Sequence, residues 1–130
     1  MNCDKALKFI DQNKDSLLKD LQTLIHQPSI SAKNEGIDEC SVLVSKILKK
    51  SGITSEILQL GKNTAPLVYG EVKSKNNPNA TLLFYNHYDV QPVEPLELWD
   101  DPPFSGKIIG NKIFGRGASD DKGELITRIK

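Results

Sequence analysis

The run Leu82-Leu83-Phe84-Tyr85, entered through Thr81 and left through Asn86-His87-Tyr88-Asp89, limits the fold more than any other feature of the chain. It is far shorter than the roughly 18 apolar residues that cross a bilayer, and it lacks the alternation of a half-solvated strand. It predicts a strand over residues 81–85, central in a sheet and buried on both faces. Such a strand needs covering layers, and the preceding sequence offers candidates for them.

Residues 4–27 read as a helix, with Leu7, Ile10, Leu17, Leu21, Leu24 and Ile25 on one stripe. Asn13 to Ser16 is a weak point in its middle, and Pro28 ends it, because the residue before proline is driven out of the α region. A second helix is predicted from about Glu39 to Lys50, capped by Asp38, with Val42, Leu43, Ile47 and Leu48 inward and Gly52 just past its end. Two further strands are predicted, Ile53–Leu60 and Leu67–Val72, with a turn over residues 74–79. Ile108-Ile109 and Lys112-Ile113-Phe114 flank Gly110-Asn111 as a tight hairpin, and a helix starts near Gly123. The class is α/β: two N-terminal helices, then a mixed sheet.

Charge and composition exclude several functions. The 130 residues carry 17 Lys and Arg against 17 Asp and Glu, net zero, with the lysines scattered among acids. Neither nucleic acid nor an anionic membrane is an expected partner. The hydrophobic share, 38%, is low for a self-contained globule and points to missing partner surface. Met-Asn-Cys-Asp-Lys at the start has no apolar signal core, and Cys3 and Cys40 lack the spacing of a metal knuckle. Reduced thiols in a cytoplasmic protein are the expectation.

Two places carry candidate chemistry. His87 and Asp89 stand two residues apart just beyond the predicted strand 81–85. On an extended backbone they share a side. The imidazole can give one nitrogen to a metal while the carboxylate accepts the other N–H and fixes the tautomer. Sites in open α/β sheets gather outside the carboxyl ends of strands, although a histidine beside an aspartate also occurs as plain surface. The second place is Gly115-Arg116-Gly117-Ala118-Ser119-Asp120-Asp121-Lys122-Gly123. Three glycines imply close approach or unusual backbone angles. Two adjacent carboxylates call for a cation or another partner, or else form a solvated turn before a helix. The stretch lacks the spacing of a phosphate loop, which counts against a nucleotide-binding module. His26 reads as a surface residue and Arg116 as a hydrogen-bonding support of the glycine turn. Trp99 either packs the loop or lines a cleft, and Glu94, Glu97, Asp100 and Asp101 read as solvated loop charges.

Taken together, Asn-His-Tyr-Asp-Val-Gln-Pro (86–92), Trp99, Pro103-Phe104 and Gly-Arg-Gly-Ala-Ser-Asp-Asp-Lys-Gly (115–123) resemble the co-catalytic zinc metallopeptidases. That superfamily holds dipeptidases, glutamate carboxypeptidases, aminoacylases, acetylornithine deacetylase and succinyl-diaminopimelate desuccinylase. The pairing of His-Tyr-Asp-Val-Gln-Pro with Asp-Asp-Lys-Gly is most similar to the dipeptidase branch; Asn86 stands where many members carry glycine. The resemblance implies that His87 ligates one of two zinc ions, that Asp89 orients it, and that Asp120 bridges the two ions. It also implies a cis peptide after Asp120. The implied reaction is zinc-dependent hydrolysis of the amide bond of dipeptides or N-acyl amino acids, with a homodimer possible for the full-length protein.

The family's general-base glutamate, its further ligands and its lid domain have no counterpart in residues 1–130, and Glu124 stands too close to Asp120 to serve. The expectation is therefore an incomplete N-terminal portion of a three-layer catalytic domain, truncated before the remaining strands and the lid and inactive alone. The alternative is a non-catalytic structural or interaction remnant of that fold.

Overall fold

A computed structural model describes residues 3–74 and 79–130. In chain order these form α1 (Asp4–His26), α2 (Ile37–Lys50), β1 (Thr54–Leu58), β2 (Leu67–Glu71), β3 (Lys107–Ile109), β4 (Lys112–Phe114) and α3 (Lys122–Ile129). Short 3-10 turns sit at Ser31–Lys33 and Leu96–Leu98. The turn expected over 74–79 falls on 75–78, outside the described residues.

The two long helices form where their apolar spacing places them, and α1 runs unbroken through 13–16. The start of α2 differs from expectation. Gly36, at φ 70°, takes the capping place, and a side chain there would overlap the Pro28 carbonyl. Asp38 lies inside the first turn with Glu39, where carboxylates favour the positive end of the helix dipole. The other end closes as a Schellman motif: Gly52 N–H donates to Lys49 O and Ile53 N–H to Leu48 O, with Gly52 at φ 79°.

The core lies between the helices. Leu24 of α1, Cys40, Val44 and Ile47 of α2, and Leu125 and Ile126 of α3 form one buried cluster, with Val68 and Tyr88 against it. A charged tie reinforces it: Asp20 takes Lys50 Nζ at 2.7 Å and Lys130 Nζ at 2.9 Å, joining α1 to the ends of α2 and α3. Three expected inward positions are outside. Leu7 and Ile10 are exposed, and so is Val42. The 23 residues of α1 span about 34 Å, and the 8-residue α3 covers only its second half. On α2 the buried stripe runs through Cys40, Ser41, Val44, Ser45 and Ile47, one position away from Val42.

The strands form two antiparallel pairs, β1 with β2 and β3 with β4. Gly110, at φ 61°, turns the second pair at the first central position, as a glycine-first hairpin requires. Among the described residues, parallel pairing is confined to one bridge, Ile30 with Val90. The expected central strand 81–85 does not form. Leu82, Leu83 and Tyr85 are 77%, 83% and 87% exposed, and no described strand pairs with them. The apolar run has the composition of a buried strand, but among the described residues it lacks the neighbours that would bury it.

Candidate metal centre

The chain just after α1 is the anchor of the site. Ser29, fully buried, donates from Oγ to Tyr88 O at 2.7 Å and accepts at its carbonyl from Val90 N–H at 2.8 Å. Tyr88 itself donates its hydroxyl to Pro66 O, and burial pushes that hydroxyl up to about 12. Residues 88–90 are thereby laid along residues 29–30, and His87 is held at the head of that short run.

The same end of α1 holds the glycine-rich loop. Lys122 is fully buried, and its Nζ donates to Leu24 O at 2.9 Å and Gln27 O at 2.6 Å. An ammonium on the last carbonyls of a helix satisfies acceptors that have no partner within the helix and meets the negative end of its dipole. Burial pushes the ammonium's pKa down from its ordinary value. The glycines make room for this docking. A side chain at Gly117, φ 84°, would meet Val90 Cγ1 at 2.8 Å and Lys122 Cδ at 3.1 Å, and one at Gly123 would overlap the Ala118 carbonyl.

With both loops tied to residues 24–30, His87 and Asp120 meet. Nε2 of His87 lies 2.9 Å from Oδ1 of Asp120. Nδ1 faces Asp89, 3.0 Å from its carbonyl oxygen and 3.2 Å from its carboxylate. Burial alone would lower the pKa of His87, but hydrogen bonds to Asp89 and Asp120 and the charges of Asp89 and Asp121 raise it. With Nδ1–H donating to Asp89, the contact with Asp120 is a hydrogen bond donated by Nε2–H of the protonated ring. Loss of that proton leaves the tautomer a metal-binding histidine needs, with the Nε2 lone pair free for an ion.

Asp121 is turned the other way. Its Oδ2 accepts from Asn86 Nδ2 at 2.9 Å and from His87 N–H at 3.0 Å, and the Asp120–Asp121 peptide is cis. Of the two adjacent carboxylates, Asp121 is held by the 86–87 loop, while Asp120, 86% exposed at its side chain, meets the His87 ring and stays accessible to a cation. Asp121, Lys122 and Ser29 are contributors that the sequence reading missed. Neither Lys122, whose partners are main-chain carbonyls 98 and 95 residues away, nor Ser29 carried a local signal.

The surroundings sort out the remaining candidates. Arg116 donates from Nη2 to Pro92 O, and its guanidinium lies 5.3 Å from the Trp99 ring centroid. Trp99 both packs the loop, donating to Val93 O, and lines an open cleft with Phe114, Ser119 and Glu124. Glu124 pairs with Arg128 on the surface of α3. His26 is exposed, with Nε2 2.8 Å from Ser105 O. Glu94 pairs with Lys33, and Asp101 with Lys107.

One nitrogen and one carboxylate oxygen suit zinc, whose tetrahedral ligands, at bond lengths near 2.1 Å, sit roughly 3.4 Å apart. The observed 2.9 Å reaches that spacing with small side-chain rotations. Among the described residues, no third His, Cys, Asp or Glu side chain gathers there closely enough to hold an ion. His87 and Asp120 fit part of a metal site. No helix among the described residues is long and apolar enough to cross a membrane.

Residues 83–130 match the model of peptidase family M20/M25/M40. The chain is 37% identical over 117 residues to the succinyl-diaminopimelate desuccinylase of Blochmanniella pennsylvanica, covering 90% of the chain and 29% of that relative. It is 34% identical over 141 residues to the Cys-Gly metallodipeptidase dug1 of Schizosaccharomyces pombe, covering 97% and 29%. Among solved structures, an M20 family metallo-carboxypeptidase from Sulfolobus solfataricus superposes with a TM-score of 0.78 at 40% identity, covering 87% of this chain and 25% of that one. The chain thus spans about three-tenths of the length of the curated relatives it matches.

Proposed function

We propose that this chain, which carries the signature of peptidase family M20/M25/M40 in residues 83–130 and belongs to that family, supplies part of a two-zinc centre for amide hydrolysis. Its fold is that of part of the family's catalytic domain. Residues 1–130 are read as the N-terminal portion of that domain. His87 and Asp120 would hold zinc, and Asp89 would keep the imidazole in its ligating tautomer. Bound zinc would lower the pKa of a water toward neutrality and polarise the scissile carbonyl. The chain's own part is to bring one nitrogen and one oxygen to the same point and to leave an open cleft walled by Trp99, Phe114 and Ser119, the residue before Asp120. The substrate class is a dipeptide or an N-acyl amino acid, the kinds of compound named by the metallodipeptidase and desuccinylase relatives. A cytoplasmic location accords with the composition.

The observation that carries this reading is the 2.9 Å approach of His87 Nε2 to Asp120 Oδ1 across 33 residues of chain. Zinc titrated into the 130-residue chain is expected to bind weakly, moving the NMR signals of residues 87 and 120 together, and His87→Ala is expected to abolish the response. Signals that move independently, or a response that survives His87→Ala, overturn the assignment. The two-donor count favours a second reading as well, in which the isolated chain is a non-catalytic remnant of the fold. Dipeptide hydrolysis by the purified chain that required both zinc and His87 would rule that reading out.

A further inference from the structure

We propose that Asp121 is a positioning residue of this centre: its carboxylate staples the Asp120 loop to the His87 loop and touches no cation itself. The inference rests on the reading that His87 and Asp120 share an ion.

His87 alone makes two contacts that join the loops side by side. The His87 side chain meets Asp120, and the His87 backbone N–H meets Asp121. The first is the one an ion would displace, because Nε2 and Oδ1 would then both point at the cation instead of at each other. Once that contact is lost, the two hydrogen bonds on Asp121 Oδ2 are what directly link residues 86–87 to residues 120–121. Because Asp120 and Asp121 are adjacent, fixing the second carboxylate on the His87 backbone sets where the first can reach. Asn86 strengthens the hold through its Nδ2, at 2.9 Å. The carboxylate is half-buried, so its two donors replace part of the water it gives up. Residues that orient metal ligands in this way typically change affinity by tenfold or more when they are removed.

The geometry also separates the staple from simple charge. Both donors converge on the same oxygen, Oδ2. Asp121→Asn, with its amide oxygen in that place, keeps both hydrogen bonds and removes the charge. Asp121→Leu keeps the volume and removes both bonds.

The test uses the 130-residue chain with cobalt(II) as the probe, read from the paramagnetic shifts of the amides of residues 87 and 120. The wild type and Asp121→Asn are expected to show one common dissociation constant for both signals, within about threefold of each other. Asp121→Leu is expected to raise it about tenfold and to separate the two responses. Exchange of the His87 amide proton, measured without metal, is expected to quicken in Asp121→Leu and stay slow in Asp121→Asn. Equal cobalt responses in Asp121→Leu and wild type overturn the inference, as does an Asp121→Asn response weakened as far as that of Asp121→Leu, which would make charge the cause. If Asp121→Leu does not fold, Asn86→Ala, which removes one of the two bonds, is expected to give an intermediate loss, and no loss there overturns the inference. A wild type with no common response overturns the shared-ion reading, and the inference falls with it; that result is distinct from failure of the inference alone.

Discussion

Residues 81–85 and 86–90 are consecutive, yet their surroundings are opposite. The first five are exposed, Thr81 followed by four large apolar residues whose exposure runs from 53% at Phe84 to 87% at Tyr85. The next five are more polar, and four of them are held: Asn86 and His87 by Asp121, Tyr88 by Ser29 and Pro66, and Val90 by Ser29. Hydrophobicity is non-directional and needs partner area on the spot. The polar half meets directed donors and acceptors at the end of α1, a structure that α2 and α3 already fix. A segment's order here follows from what it meets more than from its own composition.

The largest expected effect comes from cutting the anchor. Lys122→Ala would leave the carbonyls of Leu24 and Gln27 without their donor and open a void beneath Gly117. We expect a loss of about 4 kcal/mol, combining the cavity and the lost charged hydrogen bonds, measured by urea unfolding. The amides of residues 86–90 should lose their dispersion in NMR spectra while those of 81–85 barely change. Equal disturbance of both halves would break the contrast.

A smaller effect should follow acidification. Burial on its own would raise the Asp20 carboxyl, but hydrogen bonds and charge from Lys50 and Lys130 hold it below its ordinary value. A carboxylate with a depressed folded pKa stabilises above its unfolded pKa, near 3.9, and loses that contribution as pH falls through the folded value. Unfolding below about pH 4 should therefore include release of α3 from α1, and with it the Lys122 anchor. Asp20→Asn should remove this part of the acid dependence and cost about 2 kcal/mol near neutrality. An unchanged acid profile in Asp20→Asn would place the sensitive group elsewhere.

The same contrast marks what could be read from the sequence. The two long helices, the small hairpin and the helix after Gly123 were legible because spacing and end signals are local: Pro28 and Gly52 act on their own neighbours. The meeting of His87 with Asp120 was reached from motif resemblance, since nothing local joins residues 33 apart. The partner that the Asp120-Asp121 pair called for stayed open between a cation, another group and solvent, because the two donors to Asp121 lie on another loop. Ser29 and Lys122 were invisible because a serine hydroxyl or a lysine ammonium declares no partner until the fold brings one. Residues 81–85 failed in the opposite way: the pattern for burial was plain, and the neighbours that burial requires were not in the described residues.

The smallest expected effect tests that last point most sharply. Leu83 is 83% exposed, so Leu83→Ser removes apolar surface that is already in water. A change in unfolding free energy within about 0.5 kcal/mol is expected, as for other surface substitutions. If residues 81–85 were instead covered as a central strand, the same substitution would lose most of a buried side chain's contribution, about 2 kcal/mol, and would place a hydroxyl in an apolar layer. The two outcomes differ several-fold, well outside the error of a denaturation curve. An exposed apolar segment with unpaired edges is also a template for association between chains. Light scattering against concentration should thus show less self-association in Leu83→Ser than in the wild type, with unfolding unchanged. A variant that loses stability and associates just as before would mean that the apolar half is packed within its own chain, and the contrast between the two halves would then be one of partner type, apolar against polar, with both halves held.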